Sequence, residues 1–284
     1  MSTEAICVTT KDGSEIAVHD FGGSGQPLLL VHATGFHAWT LEPIARRLAD
    51  RFRCFAIDSR AHGDSRAAPT WAGDWRGFAD DVASVLAELG LESPVGFGHS
   101  CGGAALLMAE EADPGTFSSL YCYEPVVPPL DDPPTPNYDN PLSTRALRRR
   151  ETFSSKEEAE ANYGSKPPML SFHAEALHAY VEHGFDVMSD GTVRLKCRAA
   201  DEARIYANGS SHHAYGRLGD VACHVTLACG ETTESFGVVA LEMIARRLRK
   251  RSLEVFPGLG HFGPMEDPDA LAASIIRASE APPA

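Results

Sequence analysis

A serine flanked by glycines, Gly98-His99-Ser100-Cys101-Gly102, is the first group in this chain whose residue types and spacing could do chemistry. The apolar run Val95-Gly96-Phe97 leads into it, and a helical pattern from Ala104 to Ala112 follows at once. A strand that turns directly into a helix at G-x-S-x-G puts the serine on a tight, strained turn. Gly98 and Gly102 there remove Cβ atoms that would collide with it. The Ser100 hydroxyl is then presented away from the sheet as a nucleophile. The Cys101 amide, at the N-terminal end of the helix, can donate to an oxyanion with help from the helix dipole. The chemistry implied is acyl transfer.

Such a turn needs a sheet to carry it. Ile6 to Thr10 and Glu15 to His19 alternate around Lys11-Asp12-Gly13, which predicts an antiparallel hairpin with an Asp-Gly turn. The runs Leu28–Val31, Cys54–Ile57, Val95–Phe97 and Leu120–Tyr123 are apolar without alternation, as in strands covered on both faces. Helical patterns separate them at Leu41–Ala49, Phe78–Leu89 and Ala104–Ala112, so the sheet is expected to be mostly parallel and flanked by helices. A proline-rich stretch from Pro125 to Pro136 then breaks the rhythm. Helical patterns follow at Leu142–Phe153, Lys156–Tyr163, Ala174–Glu182 and Ala200–Ala207, with little sheet signal. The sheet rhythm resumes at Val225–Cys229, with a helix over Phe236–Leu248, a strand at Leu253–Phe256 and a last helix opened by Asp267-Pro268. The organisation expected is an α/β core over 1–125 and 216–284, with a helical cap over 126–215.

Several motifs in order extend this reading. Leu30-Val31-His32-Ala33-Thr34-Gly35-Phe36, Asp58-Ser59-Arg60-Ala61-His62-Gly63-Asp64-Ser65, the elbow at Ser100 and Gly258-Leu259-Gly260-His261-Phe262 together resemble the α/β-hydrolase family over nearly the whole chain. Ala33 and Ala61 stand where the family has glycines. The resemblance implies an α/β-hydrolase fold with the cap inserted after the strand that follows the nucleophile helix. It also implies that the Thr34 amide partners that of Cys101 in an oxyanion hole. His261 is expected to be the general base, since a strand and a Pro-Gly-Leu-Gly loop let its ring reach over the strand ends toward Ser100.

The acid that orients this histidine has two main candidates. Many family members place it after the next-to-last strand, where this chain offers Gly230-Glu231-Thr232-Thr233-Glu234 and no Asp. Others place it at the end of the strand after the elbow helix, where Glu124 is followed at once by Pro125 and so held rigidly. That arrangement is similar to a subgroup of haloalkane dehalogenases and to the fungal zearalenone lactonase. Glu124 is therefore the first choice, Glu234 the second and Glu231 the third. In any of these assignments the order is Ser, acid, His.

Other residues have quieter readings. His62 and His99 are expected to pack and tie loops, and His212-His213 to sit in a loop rather than hold a metal. His173, His178 and His183 are candidate substrate contacts on a cap helix. The apolar cap residues Phe153, Tyr163, Met169, Leu170, Phe172, Leu177, Tyr180 and Phe185, and Trp39, Trp71 and Trp75, are read mainly as packing.

The chain's bulk properties exclude much else. A 284-residue chain can bury about three quarters of its unfolded surface without staples. With 25 Lys+Arg against 39 Asp+Glu, its net charge of −14 repels phosphate backbones and anionic membranes, so neither nucleic acid nor membrane is an expected partner. Seven cysteines without a CxxC pair read as reduced, buried thiols of a cytoplasmic protein. The first residues have neither the basic start nor the apolar run of a signal peptide. No metal or cofactor is expected. The function expected is hydrolysis of a small-molecule carboxylic ester or lactone with a hydrophobic body, through an acyl-enzyme. A perhydrolase or carbon–carbon bond hydrolase would use the same groups, and a binding protein of the same fold would need only the pocket. An Asp in place of Ser100 would have pointed to dehalogenase or epoxide-hydrolase chemistry.

Overall fold

A computed structural model describes residues 5–280. The leader-free reading of the N-terminus falls partly on residues 1–4, outside the described residues. β1 (Ile6–Thr9) and β2 (Glu15–Gly23) form the expected hairpin, pairing Ile6 with Val18 and Thr9 with Glu15. β2 runs on past His19 to Gly23. β3 (Gln26–Val31), α1 (Glu42–Leu48), β4 (Phe52–Ile57), α2 (Arg76–Leu89), β5 (Val95–His99), α3 (Cys101–Ala112) and β6 (Ser119–Tyr123) then alternate.

After β6 the chain leaves the sheet for a long excursion. Its elements are α4 (Pro141–Leu147), β7 (Thr152–Phe153), α5 (Lys156–Gly164), α6 (Ala174–Gly184), β8 (Phe185–Val187), β9 (Val193–Leu195), α7 (Ala199–Asn208) and α8 (Ala214–Arg217). The pattern predicts a helical excursion, but β7, β9 and β8 pair into a small antiparallel sheet within it. The helix expected to reach Phe153 stops at Leu147, and Thr152 and Phe153, a β-branched and an aromatic residue, pair with Arg194 and Val193 instead. The chain returns through β10 (His224–Gly230), α9 (Val238–Ala245), β11 (Arg251–Phe256), α10 (Gly263–Glu266) and α11 (Pro268–Glu280).

The main sheet has eight strands in the order β1-β2-β4-β3-β5-β6-β10-β11, parallel from β4 onward. Alternation along each strand divides its side chains between two cores. Leu29 and Val31 face α2 and α3, whereas Leu28 and Leu30 face α1 and α11. From β3 the chain goes to β4 on one side and then crosses to β5 on the other, so the strand order reverses between β3 and β5. Ligands in open α/β sheets bind outside the carboxyl ends at such a reversal. Thr34 follows β3 and Ser100 follows β5, which places both at that crevice.

A third apolar cluster joins the excursion to the strand ends. Phe153, Met169, Phe172, Tyr180 and Phe185 are buried there with Phe36 and Met265, Tyr163 and Leu177 pack against them, and Leu170 is exposed. Trp71 and Trp75 are likewise buried. Six cysteines are buried as expected, but Cys7 is exposed on the edge strand β1, where Val8 alone of Ile6–Thr9 is buried. Among the described residues no helix is long and apolar enough to cross a membrane.

One buried ion pair fixes the loop after β4. Asp81 of α2, fully buried, accepts from Arg60 Nε at 2.9 Å and Nη2 at 2.6 Å. Asp81→Ala leaves this guanidinium without its main partner, so a loss of about 3–5 kcal/mol is expected in denaturant unfolding. A loss under about 1 kcal/mol would show that the pair contributes little.

Candidate active site

One residue separates β5 from α3, and the chain must reverse there. Ser100 does this at φ 56° and ψ −115°, a conformation a non-glycine residue keeps only when its surroundings enforce it. The enforcement is visible. The Ser100 amide donates to the Tyr123 carbonyl at 2.9 Å, and its own carbonyl accepts from Ala104 at 3.2 Å and Val126 at 3.1 Å. A Cβ on Gly98 would lie 2.6 Å from the Gly103 Cα, and one on Gly102 would lie 2.2 Å from the Val31 carbonyl oxygen. Both glycines are therefore required, as the motif predicts.

The loop after β3 is tied down by two histidines. His32 Nε2 accepts from the Ser59 amide at 2.9 Å, so the ring's proton is on Nδ1, which donates to the Ala33 carbonyl at 2.7 Å. His62 Nε2 accepts from the Gly35 amide at 3.0 Å, and its Nδ1 donates to the Arg60 carbonyl at 3.1 Å. Both are loop ties, as expected of His62. Ala61, where the family has glycine, adopts the left-handed φ of 64° itself. Thr34 and Cys101 meet at the crevice: burial raises the Cys101 thiol to about 11 against the opposing pull of the adjacent Thr34 hydroxyl and amide. Among the described residues neither the Thr34 nor the Cys101 amide donates to an oxygen. With Thr34 against Cys101, which follows Ser100 directly, the two amides can serve a developing oxyanion.

His261 sits on the loop between β11 and α10. Tyr123 Oη donates to the Gly260 carbonyl at 2.8 Å, the Gly260 amide to Glu266 at 2.8 Å, and the Gly258 amide to Glu231 at 3.0 Å. His99 Nε2 donates to the His261 carbonyl at 2.9 Å. Burial, reinforced by neighbouring His261, holds the His99 pKa well below its usual value, so His99 is a neutral donor.

The carboxylate that meets His261 is Glu124. It follows β6 at φ 45°, is fully buried, and places Oε2 2.6 Å from His261 Nδ1. The same oxygen accepts from the Thr233 hydroxyl at 2.8 Å, and Oε1 accepts from the Gly230 amide at 3.0 Å. Three donors hold the carboxylate, which in turn fixes the imidazole with its proton on Nδ1 and leaves Nε2 as the basic nitrogen. The alternatives lie elsewhere: Glu234 is exposed, and Glu231 ties down the Gly258 amide. The Ser100 hydroxyl makes no hydrogen bond among the described residues. Serine–histidine contacts of unliganded sites commonly tighten only when substrate arrives.

His99 ties the His261 loop, as expected of it, whereas the sequence does not single out Gly230 and Thr233 as partners of the carboxylate. Thr233 lies just past the next-to-last strand, where many relatives would carry the acid, and a hydroxyl there is the one local signal. The three histidines expected to touch substrate do other work. His173 caps α6, accepting from the Glu175 amide at 3.4 Å, exposed His178 pairs with Glu160 at 3.3 Å, and His183 stacks on Trp39 with ring centroids 3.9 Å apart. His212 Nε2 donates to the Val126 carbonyl at 3.0 Å, and the ring stacks on Trp75. Among the described residues one group has metal-ligand geometry, His19, Asp58 and Asp64. Its Asp58 oxygens already serve His19 and the amides of Ala38 and Asp64.

Burial also lowers His32 to about 3 and His37 and His212 to about 4. In the unfolded chain these rings titrate near 6.5, so below that pH the unfolded state binds more protons and stability falls as pH falls. The loss runs from about pH 6.5 down to about 4, at roughly 1.4 kcal/mol per pH unit for each such ring. Burial raises Asp81 to about 6 and Glu111 to about 7, which offsets part of this loss, but the lowered histidines are more numerous, so thermal midpoints measured from pH 7 to 4 are expected to fall, and a rise would contradict these burials.

Residues 28–274 match the Alpha/beta hydrolase family. The chain is 26% identical to 2-(acetamidomethylene)succinate hydrolase of Mesorhizobium japonicum, over 84% of this chain and 83% of that protein. It is 31% identical to the Bifunctional esterase/perhydrolase DCH of Acinetobacter calcoaceticus, over 57% of this chain and 61% of that one. Among solved structures, that of E-2-(acetamidomethylene)succinate hydrolase superposes with a TM-score of 0.82 at 24% identity, covering 98% of this chain and 99% of the other. At that identity the likeness speaks for the fold alone. With the family match spanning most of its length, the chain belongs to the alpha/beta hydrolase family.

Proposed function

We propose that this α/β-hydrolase cleaves a carboxylic ester or lactone through an acyl-enzyme on Ser100. His261 Nε2 takes the Ser100 proton as the hydroxyl attacks the acyl carbon, and Glu124 stabilises the imidazolium through Nδ1. The oxyanion rests on the amides of Thr34 and Cys101. The imidazolium then protonates the leaving alkoxide, and a water activated by the same base releases the acid. The observation that carries this reading is the 2.6 Å contact between His261 Nδ1 and a carboxylate held by two further donors, beside a serine on an enforced turn.

The segment over 126–215 serves as the cap in this reading. Phe36, Phe172 and Phe262 cluster next to His261, with ring centroids 5.6 to 6.0 Å apart, which supports a substrate with an apolar body. The name of the Acinetobacter relative pairs esterase with perhydrolase, so peroxide can replace water as the second nucleophile on the same acyl-enzyme. The name of the Mesorhizobium relative describes a compound with an acetamido group, which adds amides to the acyl compounds worth testing. Cysteines that stand unpaired support a cytoplasmic location.

The test is proton release at constant pH from a panel of aryl esters, alkyl esters and lactones, and amine release from N-acyl compounds, with Ser100→Ala as control. Release confined to the wild type supports the reading, and the preferred panel member chooses among substrates. Equal release from both proteins for every member contradicts it.

A further inference from the structure

A charged cluster inside the excursion lies against the oxyanion loop, and the chemistry above makes no use of it. Arg149 follows α4 and turns its guanidinium inward, leaving the side chain 17% exposed. Nη1 donates to Glu202 Oε2 of α7 at 2.6 Å, and Nη2 donates to the Tyr180 hydroxyl. The guanidinium carbon lies 5.6 Å from the centroid of the Tyr163 ring and 5.9 Å from that of Tyr180. The loop itself fixes the location: a Cβ on Gly35, the residue after Thr34, would lie 2.6 Å from Glu202 Oε1 and 3.3 Å from Arg149 Nη1.

The cluster has more donors than acceptors. A guanidinium carries five N–H groups, and Glu202 and Tyr180 accept from two of its nitrogens. Among the described residues, the buried Tyr163 hydroxyl has no hydrogen-bond partner. Tyr180 accepts from Arg149 while its own proton has no acceptor among the described residues. Buried donors without acceptors are rare in folded proteins and call for an explanation. A purely structural tether between α4 and α7 would need the Arg149–Glu202 contact alone. It would not need two tyrosine rings packed on the same cation beside the loop, one of them with a buried hydroxyl that has no partner.

We propose that Arg149, with the Tyr163 and Tyr180 hydroxyls, is a carboxylate subsite, and that the preferred substrate is an ester or lactone bearing a free carboxylate a few bonds from the scissile carbonyl. This rests on Ser100 acting as the acyl acceptor next to Thr34. A planar carboxylate matches the guanidinium fork and takes the unused phenol protons. Glu202 keeps the cation in place and neutralised when the subsite is empty, and its proximity makes the subsite discriminate against weakly bound anions that cannot reach both tyrosines.

The test compares a half-ester, mono-p-nitrophenyl glutarate, with its methyl-capped counterpart. The wild type is expected to prefer the free acid in kcat/KM by roughly 10- to 100-fold, the range for hydrogen bonds to a charged group. In Arg149→Met this ratio is expected to fall to about one, and Arg149→Lys to restore part of it, since a point charge replaces the fork. The ratio cancels any general loss of activity. A ratio near one in the wild type, or one unchanged in Arg149→Met, overturns the proposal. A second readout is independent of turnover and of the variants' folding: glutarate should raise the thermal midpoint of Ser100→Ala protein, whereas dimethyl glutarate should not. Equal shifts, or none, also overturn the subsite. Because that measurement uses a protein without the nucleophile, the failure of the subsite is distinguishable from failure of the serine mechanism.

Discussion

Glu124→Gln is expected to lower kcat by about 10⁴-fold while leaving the protein folded, the scale seen when an orienting carboxylate is replaced by its amide. The amide keeps the shape of the side chain but not its acceptor set. Three donors converge on Glu124, from Gly230, Thr233 and His261, and a carboxylate can accept all three. A glutamine has one oxygen, so either a donor goes unanswered or the His261 ring turns to the wrong tautomer. The substitution removes charge stabilisation of the imidazolium at the same time. Glu234→Gln is the control, because Glu234 is exposed, and its kcat is expected to stay within about twofold of the wild type. Steady-state kinetics of the two variants decide the matter: a large loss in Glu234→Gln with little in Glu124→Gln would move the acid to the later loop.

Ser100→Ala is expected to have the largest effect, a loss of roughly 10⁶-fold in kcat. What is left would come from the oxyanion amides and substrate binding, which do not depend on the hydroxyl. Stability should move little, by about 1 kcal/mol at most, because the Ser100 hydroxyl makes no hydrogen bond among the described residues and alanine differs from serine by that one group. Burst kinetics with an activated ester, together with a denaturant melt, check both halves. A variant that keeps a pre-steady-state burst would show that the acyl group is carried elsewhere.

The elbow was legible from the sequence because its rules are local. Ser100 needs small neighbours, a strand before it and a helix after it, and all of these stand within ten residues of each other. The two cores were legible for the same reason, as apolar runs that mark strands covered on both faces. The acid was harder, since the contact of Glu124 with His261 joins β6 to the loop after β11, and local pattern could narrow the choice but not close it. Gly230 and Thr233 act through single hydrogen bonds to Glu124, and apart from the position of the Thr233 hydroxyl their own surroundings in the chain do not announce this. The small sheet of the excursion is different, because its signal was present. Asp190-Gly191 lies between Phe185–Val187 and Val193–Leu195, with Gly191 at φ 84°, the same Asp-Gly hairpin signature that located the turn at Asp12-Gly13. Helical patterns on both sides of such short strands outweighed it. For His173, His178 and His183, position on a helix does not say which face meets the site. Each of the three instead finds a partner in Glu175, Glu160 or Trp39.

The most direct test of the central claim is the intact mass of the purified protein after treatment with a fluorophosphonate, followed by peptide mapping. One phosphonyl adduct is expected, on the peptide that contains Ser100, and none in Ser100→Ala. An unmodified wild type, or an adduct that persists in Ser100→Ala, would contradict it.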